Sequence, residues 1–337
     1  KVGGIETLEA LKDHHHYQSP LTPAKNGGKV GRGVAFGFWF NAGLQSTVTI
    51  SVNADGTVNL VEGSPDIGGS RASISMQAAE VLGISADEVK PLVADTDSIG
   101  FSFGTGGSRT TFATGWAAYE AANDVKAQLI DRAANIWGVD PESVEMQDGI
   151  VRSKTDTELS MTFKDLSAQL NDTGGPIIGR GSVNPAGVGG AFAANIIDIE
   201  VDPETGKVDI LRFTMVQDAG KAIHPSYVEG QMQGASVQGI GWALNEEYYY
   251  SKDGTMDNSS FLDYRMPTSL DLPMIDTVIV EVANPGHPYG ARGVGEVSLI
   301  PPQAGIGNAI ENAVGVRFES LPMKPSVILD GINNQNN

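Results

Sequence analysis

The chain has 337 residues, of which 40% are hydrophobic and 19% charged, and its formal net charge is −19. This composition is typical of a globular protein with one large or two ordinary domains, and it excludes a disordered acidic chain. An acidic surface repels phosphates, so nucleic acid is not an expected partner, and the lack of cysteine excludes disulfides, thiolate-bound zinc and cysteine-bound iron–sulfur clusters in this chain. No apolar run reaches 18 residues and no basic and apolar leader is visible. We therefore expect no membrane span, no secretion signal and a cytoplasmic location.

The first 30 residues form a predicted lead-in segment, with a short helix over residues 6–11. Three consecutive histidines follow: His14, His15 and His16. Consecutive residues do not share one face of a helix or a strand. A metal site is therefore the weaker interpretation, and a solvated turn is the expectation.

A strand, a turn, a second strand, an Asp-x-Gly loop and a helix occur twice along the chain. The first copy has strands at 46–52 and 57–62 and a helix at 71–82; the second has strands at 195–201 and 207–217 and a helix at 226–244. Further predicted elements are helices at 114–137, 161–170 and 301–314, a hairpin at 144–153 and a strand at 275–282. Residues 174–190 show little regular pattern and mark the expected boundary.

These patterns predict an α+β fold built from two related mixed α/β halves that face a common cleft. The expected organisation is a lead-in over residues 1–30, a first half over 31–185 and a second half over 186–337.

Three glycine-rich stretches each lie directly before a predicted helix: Asp66–Ser70, Gly104–Thr111 and Gly293–Glu296. A helix N-terminus offers unpaired N–H groups and a partial positive charge, and glycine allows a ligand to approach the backbone closely. Arginine or lysine near these loops favours an anionic ligand. None of the stretches matches the dinucleotide-binding or P-loop fingerprints, so neither a Rossmann domain nor a nucleotide hydrolase is predicted. Taken alone, each loop is as well explained by a tight turn.

The helix predicted over residues 226–244 contains Gly230, Gly234, Gly239 and Gly241. Glycine inside a helix costs roughly 1 kcal/mol relative to alanine, so a compensating gain is expected. Two explanations remain open. The glycines either allow close packing against another backbone or let Gln231 or Gln238 reach a ligand across a face without side chains.

Glu296 follows Gly293-Val294-Gly295 and precedes a predicted helix. A carboxylate among glycines at such a position is a candidate general base. From the spacing alone, a surface or capping glutamate is the stronger alternative.

Together, these segments resemble the C-terminal half of the molybdopterin-binding subunit of the xanthine dehydrogenase/aldehyde oxidase family of molybdenum hydroxylases. The resemblance runs from about Gly31 to Leu329, and its most specific part is the tract from Gly293 to Glu296. In that family the glutamate of this tract is the base of the reaction, which implies the same role for Glu296, with Gly295 at the cofactor.

The resemblance implies further roles residue by residue. Gln231 matches a glutamine that contacts the pterin, and Phe38 and Trp39 lie where the family has the walls of its substrate pocket. Gly69 stands where the family often has a cofactor-binding glutamine, so the contact at that loop differs. No side chain is expected to bind the metal directly. The remaining residues implied in cofactor binding are Gly68, Gly69, Ser70, Gly106, Gly107, Ser108, Arg109, Thr110 and Thr111.

The implied cofactor is molybdenum held by a molybdopterin dinucleotide, in the cytosine form, with FAD and 2Fe–2S clusters on partner chains. The implied reaction is oxidative hydroxylation of a small molecule at carbon, with oxygen from water. Phe38 and Trp39 favour a flat aromatic heterocycle or an aldehyde over carbon monoxide, and an N-heterocycle such as nicotinate or a purine is the expected substrate. An aldehyde oxidoreductase, a carbon monoxide dehydrogenase of the same family and a non-catalytic cofactor-binding or assembly module are the alternatives.

Full molybdenum subunits of this family are considerably longer than this chain, which is similar in size to the medium molybdopterin subunit of nicotinate dehydrogenase. Another chain with the N-terminal half of the subunit should complete the site. We therefore expect this chain to be inactive alone.

Overall fold

The computed structural model describes residues 2–186 and 188–335. Among these residues, no helix combines the length and the apolar character that crossing a membrane requires. The strands are β1 (Lys29–Phe40), β2 (Ser46–Val52), β3 (Val58–Glu62), β4 (Val89–Val93), β5 (Val144–Gln147), β6 (Ile150–Ser153), β7 (Ser160–Thr162), β8 (Ile178–Val183), β9 (Gly190–Val201), β10 (Val208–Asp218) and β11 (Ile275–Val280). The helices are α1 (Gly4–Asp13), α2 (His15–Gln18), α3 (Ser70–Leu82), α4 (Thr96–Ile99), α5 (Gly115–Trp137), α6 (Phe163–Gln169), α7 (Pro225–Leu244), α8 (Pro301–Val314) and α9 (Pro325–Gln335).

The chain divides into two compact units. Unit 1 contains the described residues up to Phe40, Gly189–Asn284 and the described residues from Val294 onward; unit 2 contains Asn41–Val188 and Pro285–Gly293. The sequence-based boundaries at residues 31 and 186 differ from this division. β1 belongs to unit 1 because it pairs with β9 along its whole length. The stretch with little regular pattern, residues 174–190, contains β8 instead of being a bare linker.

Unit 1 is built on a four-stranded sheet in the order β1-β9-β10-β11. β9 is antiparallel to β1 and β10, whereas β10 and β11 are parallel. α8 packs against β1 and β9, α1 packs against β9 and β10, and α7 packs against α8 and β11. The main core lies among the sheet, α7 and α8, where apolar residues such as Ile197, Phe213 and Ile306 are fully buried.

Unit 2 repeats this arrangement with a sheet in the order β8-β2-β3-β4. β2 is antiparallel to β8 and β3, and β3 and β4 are parallel. α5 packs against β8 and β2, and α3 packs against α5 and β4. A separate three-stranded sheet, β5-β6-β7, completes the unit.

Both units thus contain a hairpin that leads into a helix and then into a parallel strand, and both carry one antiparallel edge strand. This confirms the predicted α+β class and the predicted internal repeat. The common cleft stays a prediction.

The edge strand of each unit carries Gly-Arg-Gly, at Gly31–Gly33 in β1 and Gly179–Gly181 in β8. A Cβ atom on Gly33 would lie 1.9 Å from the carbonyl oxygen of Gly305 in α8. A Cβ atom on Gly181 would lie 2.0 Å from the carbonyl oxygen of Ala117 in α5. Glycine at these positions lets a helix backbone rest directly on the edge strand in each unit.

Candidate functional site

Glu296 lies in unit 1, at the start of a short 3-10 turn over Val297–Leu299 that leads into α8. Its side chain is half-buried, and Oε2 accepts a hydrogen bond from the indole Nε1–H of Trp39 at 3.2 Å. Trp39 reaches this position because odd-numbered residues of β1 point toward the core beneath α8. The structure therefore brings together two residues that the sequence singled out for the site.

Gln217 is a buried side chain near the end of β10 that sequence reasoning missed. Its Nε2 donates to the carbonyl oxygen of Val294 at 3.3 Å, and its Oε1 accepts from Ser298 Oγ at 2.5 Å. The two contacts lie two residues before and two residues after Glu296. One fully buried amide thus ties down both ends of the turn that carries the carboxylate. No local sequence pattern links these residues, which lie far apart in the chain.

Phe38 and Trp39 point to opposite faces of β1, as neighbouring strand residues must. Phe38 is 53% exposed and its ring packs against Phe192, with 5.6 Å between the ring centroids. The implied pocket with both residues as walls does not agree with this geometry. Trp39 alone lies beside Glu296.

The glycines of α7 divide into two groups. Within residues 2–186 and 188–335, nothing lies within 4 Å of a Cβ atom placed on Gly230 or Gly234, whereas a Cβ atom on Gly239 would lie 2.7 Å from the carbonyl oxygen of Leu299. Close packing therefore requires glycine at position 239. It does not require glycine at positions 230 and 234, which lie on a face of α7 that is left open for a ligand. Gln231, the implied pterin contact, is half-buried beside this open face.

In unit 2, the loop over Gly104–Thr111 combines open and tightly packed glycines. Gly104 and Gly106 have open space where a side chain would lie, while Gly107 and Ser108 adopt positive φ angles of 72° and 55°. Gly107 is buried and its carbonyl oxygen accepts from the N–H of Ala42 at 2.8 Å. The exposed backbone around Gly106 is the part of this loop that a ligand can approach.

Gly293, the last residue of unit 2, packs on this loop. A Cβ atom on Gly293 would lie 2.1 Å from the carbonyl oxygen of Ser108. Asn41 holds Gly293 through its side-chain amide. Its Oδ1 accepts the Gly293 N–H at 3.3 Å, and its Nδ2 donates to the Gly293 carbonyl oxygen at 3.4 Å. The stretch that begins at Gly293 and the loop over Gly104–Thr111 therefore meet in unit 2. Asn41, which sequence reasoning did not identify, holds Gly293 there.

Arg109 does not have the role that its position beside the loop implied. The side chain is fully buried, and its guanidinium donates to the carbonyl oxygens of Gly43, Gln45 and Phe103 and to Ser46 Oγ. Burial lowers the pKa of Arg109 from its usual value. Four of its five N–H donors are thus bound by the protein itself, so Arg109 fixes the loop. Thr110, next to it, is also buried, and Thr111 is half-buried.

Two other cations near the glycine-rich loops lie beside carboxylates. Arg71 Nε lies 3.6 Å from Asp66 and has no hydrogen-bond partner among the described residues, and Lys221 lies 3.1 Å from Glu281. Asp66 in addition accepts the backbone N–H of Arg71 at 3.0 Å, so its own carboxylate occupies the N-terminus of α3. The expectation that these cations attract an anionic ligand is therefore not supported by their contacts.

The loop before α3 turns through two left-handed residues, Gly68 (φ 61°) and Gly69 (φ 77°). Gly68 is exposed and Gly69 is half-buried, but the side chain of Ser70 is buried. Backbone contact is therefore available to a ligand at Gly68 and Gly69. Gln77, further along α3, is buried with its Nε2 bound to the carbonyl oxygen of Thr111 at 3.0 Å, while its Oε1 lacks a hydrogen-bond partner.

His287 anchors the segment of unit 2 that leads to Gly293, and sequence reasoning missed it. Its Nδ1 accepts from the N–H groups of Tyr289 and Ala291, and its Nε2 lies 3.2 Å from the carbonyl oxygen of Phe112. Burial lowers the pKa of His287 to about 4. A neutral ring with its proton on Nε2 satisfies all three contacts, so at neutral pH the uncharged residue holds this segment in place.

The three histidines near the N-terminus do not form a solvated turn. His16 is fully buried, with Nδ1 2.9 Å from Thr214 and Nε2 3.3 Å from Asp198. His14, His15 and Asp276 bring three possible metal-ligand atoms within 4.8 Å of one another. However, Nδ1 of His14 accepts the His16 N–H, which leaves its proton on Nε2, 3.3 Å from Asp276. That hydrogen bond accounts for the cluster without a metal.

Unit 2 also contains a cleft of about 620 Å³ between α5 and the end of β8. Its lining includes Trp116, Glu120, Asp124 and Arg180. As far as the described residues show, none of the predicted site residues takes part in it.

Comparison with known proteins identifies the family of the chain. Residues 10–273 match the model of the molybdopterin cofactor-binding domain. The chain is 32% identical over 337 residues to the 6-hydroxypseudooxynicotine dehydrogenase complex subunit gamma of Paenarthrobacter nicotinovorans, covering 96% of this chain and 42% of that protein. It is 34% identical over 281 residues to the xanthine dehydrogenase molybdenum-binding subunit of Escherichia coli O157:H7, covering 81% of this chain and 37% of that protein.

Among solved structures, quinoline 2-oxidoreductase from Pseudomonas putida 86 has a similar fold. The TM-score is 0.82 at 23% identity, over 98% of this chain and 45% of that chain. The chain thus spans about two-fifths of the length of the curated relatives that it matches. Because the domain model matches well over half of its residues, the chain belongs to the molybdopterin cofactor-binding domain family.

Proposed function

We propose that this chain is the molybdopterin-binding part of a multi-subunit molybdenum hydroxylase that hydroxylates a carbon of an N-heterocycle, with water as the oxygen source. The single observation that carries the proposal is the half-buried carboxylate of Glu296 in its Gly-Val-Gly-Glu turn, held by Trp39 at 3.2 Å. Two relatives are named for 6-hydroxypseudooxynicotine and xanthine, which both contain a nitrogen heterocycle. These names support a heterocycle such as nicotinate or a purine as the proposed substrate.

The residues fit a molybdopterin dinucleotide in two places, one in each unit. In the part of the chain that the structure describes, no atom lies within 4 Å of the side-chain position of Gly230 and Gly234 in unit 1 or of Gly104 and Gly106 in unit 2. Packing does not require glycine at these four positions. Backbone that is left uncovered in this way suits a ligand that lies directly against it.

When bound, the cofactor supplies the electron sink for the oxidation. Glu296 is the general base, and its carboxylate takes up a proton in the hydroxylating step. Trp39 holds that carboxylate, and since an indole N–H only donates, it cannot take the proton itself. In unit 1, Gln231 and the backbone at Gly295 are the proposed cofactor contacts. Taken by itself, unit 2 offers the backbone at Gly68, Gly69 and Gly106.

Partner chains complete the enzyme in this proposal. One carries the N-terminal half of the molybdenum subunit, and others carry FAD and 2Fe–2S clusters. The segment after α7 supports a partner, because Phe261 and Leu262 are 90% exposed, Leu270 94% and Met274 85%, and such exposure is typical of an interaction surface. The cytosine form of the cofactor and a cytoplasmic location stay predictions.

Substitution Glu296→Gln in the assembled complex tests the proposal. It keeps the size and the hydrogen-bond acceptor of the side chain but removes the base. We expect the molybdenum content to stay at the parent level while kcat falls by about 10²–10⁴-fold. Turnover is measured with nicotinate and with xanthine, and molybdenum by elemental analysis.

Near-parental turnover in the Glu296→Gln complex would rule out the base assignment. A native complex without molybdenum, and without a cytidine or guanosine nucleotide released by acid, would instead indicate a non-catalytic module. Release of the guanosine nucleotide would correct only the form of the cofactor.

A further inference from the structure

We propose that Trp39 and Gln217 are positioning residues for Glu296: Trp39 fixes its carboxylate, and Gln217 fixes the turn that carries it. The inference rests on the proposed role of Glu296 as the base. In this inference, Trp39 and Gln217 keep the carboxylate of Glu296 in one orientation.

Trp39 can do this because both ends of the contact are held. The indole belongs to β1, which pairs with β9 over its full length, so its backbone is rigid. The ring is half-buried and packs at the edge of the core of unit 1. Its Nε1–H is a donor that neither accepts nor titrates. A carboxylate that accepts this hydrogen bond through one oxygen, here Oε2, is held in one orientation relative to the tryptophan.

Gln217 supplies the second constraint. Its fully buried amide donates to Val294 and accepts from Ser298, whose side chain is also fully buried. A glycine-rich turn is flexible without such support, because Gly295 restricts the backbone little. The clamp removes this freedom on both sides of Glu296. Trp39 thus binds the tip of the Glu296 side chain, and Gln217 binds residues on both sides of Glu296 in the turn.

Misplacing a catalytic group by about 1 Å costs up to about 100-fold in rate, and loss of a supporting hydrogen bond costs about 10–100-fold. We therefore expect Trp39→Phe and Gln217→Leu in the assembled complex to lower kcat by about 10–100-fold with little change in KM. Trp137→Phe in unit 2 and Gln233→Leu in α7 are matched controls. Gln233 also binds a backbone carbonyl, that of Ile275 at 3.2 Å, but it lies outside this network.

A second measurement does not depend on activity or on the cofactor. The chain has four tryptophans, so an indole-labelled ¹⁵N–¹H spectrum of the full chain shows four side-chain signals. Trp39→Phe identifies one of them. In Glu296→Ala we expect that signal to move upfield and its proton to exchange with water about tenfold faster, because the acceptor is gone. Gln217→Leu should move the same signal in the same direction by a smaller amount, and Gln233→Leu should leave it in place.

The outcomes separate the two proposals. If Glu296→Gln abolishes turnover while Trp39→Phe and Gln217→Leu keep parental kcat, the positioning role is wrong and the base assignment stands. If the Trp39 signal is the same in Glu296→Ala and in the parent chain, the positioning role is also wrong. If Glu296→Gln turns over normally, the base assignment itself fails, whatever the spectrum shows.

Discussion

Unit 1 and unit 2 contain sheets of the same topology with a helix packed on the edge strand, but their charged side chains have different kinds of partner. In unit 1, Arg32 pairs with the buried carboxylate of Asp198 at 2.6 Å and 2.8 Å. In unit 2, the buried guanidinium of Arg109 binds three carbonyl oxygens and a hydroxyl. Unit 1 thus pairs a half-buried cation with a buried anion, whereas unit 2 buries a cation among neutral acceptors that its donors bind.

The buried carboxylates differ in the same way. Burial alone would raise the pKa of Asp198, but hydrogen bonds from Arg32, His16 and Thr22 outweigh it and hold that pKa well below its usual range. Glu62 at the end of β3 is also buried, and here burial prevails and raises the pKa to about 7. Its Oε2 accepts the Ser64 N–H at 2.6 Å. Asp198 in unit 1 therefore stays ionised at neutral pH, whereas the raised pKa of Glu62 in unit 2 lies near neutrality.

The largest effect that we expect comes from removing these two cations. Arg109→Met takes away the donor of the buried carbonyl oxygen of Gly43 and of the carbonyl oxygen of Phe103, and Arg32→Met leaves Asp198 without its cation. Each should lower the free energy of unfolding by about 3–5 kcal/mol, measured by urea denaturation. Arg152→Met, which removes an exposed pair with Glu145, is the control and should cost less than about 1 kcal/mol. A cost for Arg109→Met no larger than for this control would contradict the comparison.

The second prediction concerns pH. The folded state keeps a proton on Glu62 up to about pH 7, whereas the unfolded chain loses it near 4.5. Between these values the folded state binds more protons, so the free energy of unfolding falls as pH rises, by roughly 3 kcal/mol in total. Glu62→Gln should remove this dependence, measured from urea midpoints at pH 5 and pH 8.

Asp198 gives the opposite dependence in unit 1. Because its pKa is lowered in the folded state, its stabilisation is present above the unfolded value of about 4 and is lost as pH falls further. Glu62→Gln should leave this acid limb unchanged. An unchanged fall in stability between pH 5 and pH 8 in Glu62→Gln would show that another group causes it.

The smallest effects test what the two units share. Gly33→Ala and Gly181→Ala place a Cβ atom against a helix carbonyl oxygen, at 1.9 Å and 2.0 Å, and each should cost about 1–3 kcal/mol. Gly230→Ala is the control, because its surroundings are open, and it should stabilise α7 by up to about 1 kcal/mol. Unequal costs for Gly33→Ala and Gly181→Ala would show that the helices rest differently on the two edge strands.

Sequence patterns found the elements whose signals are local. β2, the β5–β6 hairpin and α8 have the predicted bounds, because alternation, turn residues and helix-start signals all lie within a few residues. β1 and β8 escaped prediction because glycines at alternate positions, Gly31 and Gly33 or Gly179 and Gly181, hide the apolar side of each strand. The assignment of β1 to unit 1 depends on its pairing with β9, more than 150 residues away.

The same divide holds for the site. The glycine-rich loops and Glu296 could be identified by motif and resemblance, since those signals are contiguous in the chain. Gln217, Asn41 and His287 could not, because their roles depend on contacts with distant segments. Neighbouring residues decide where a helix or turn begins, but burial and hydrogen-bond partners exist only after the chain has brought remote segments together. That is why Arg109, which in sequence looks like a ligand-binding cation, is in the structure a buried support for its own loop.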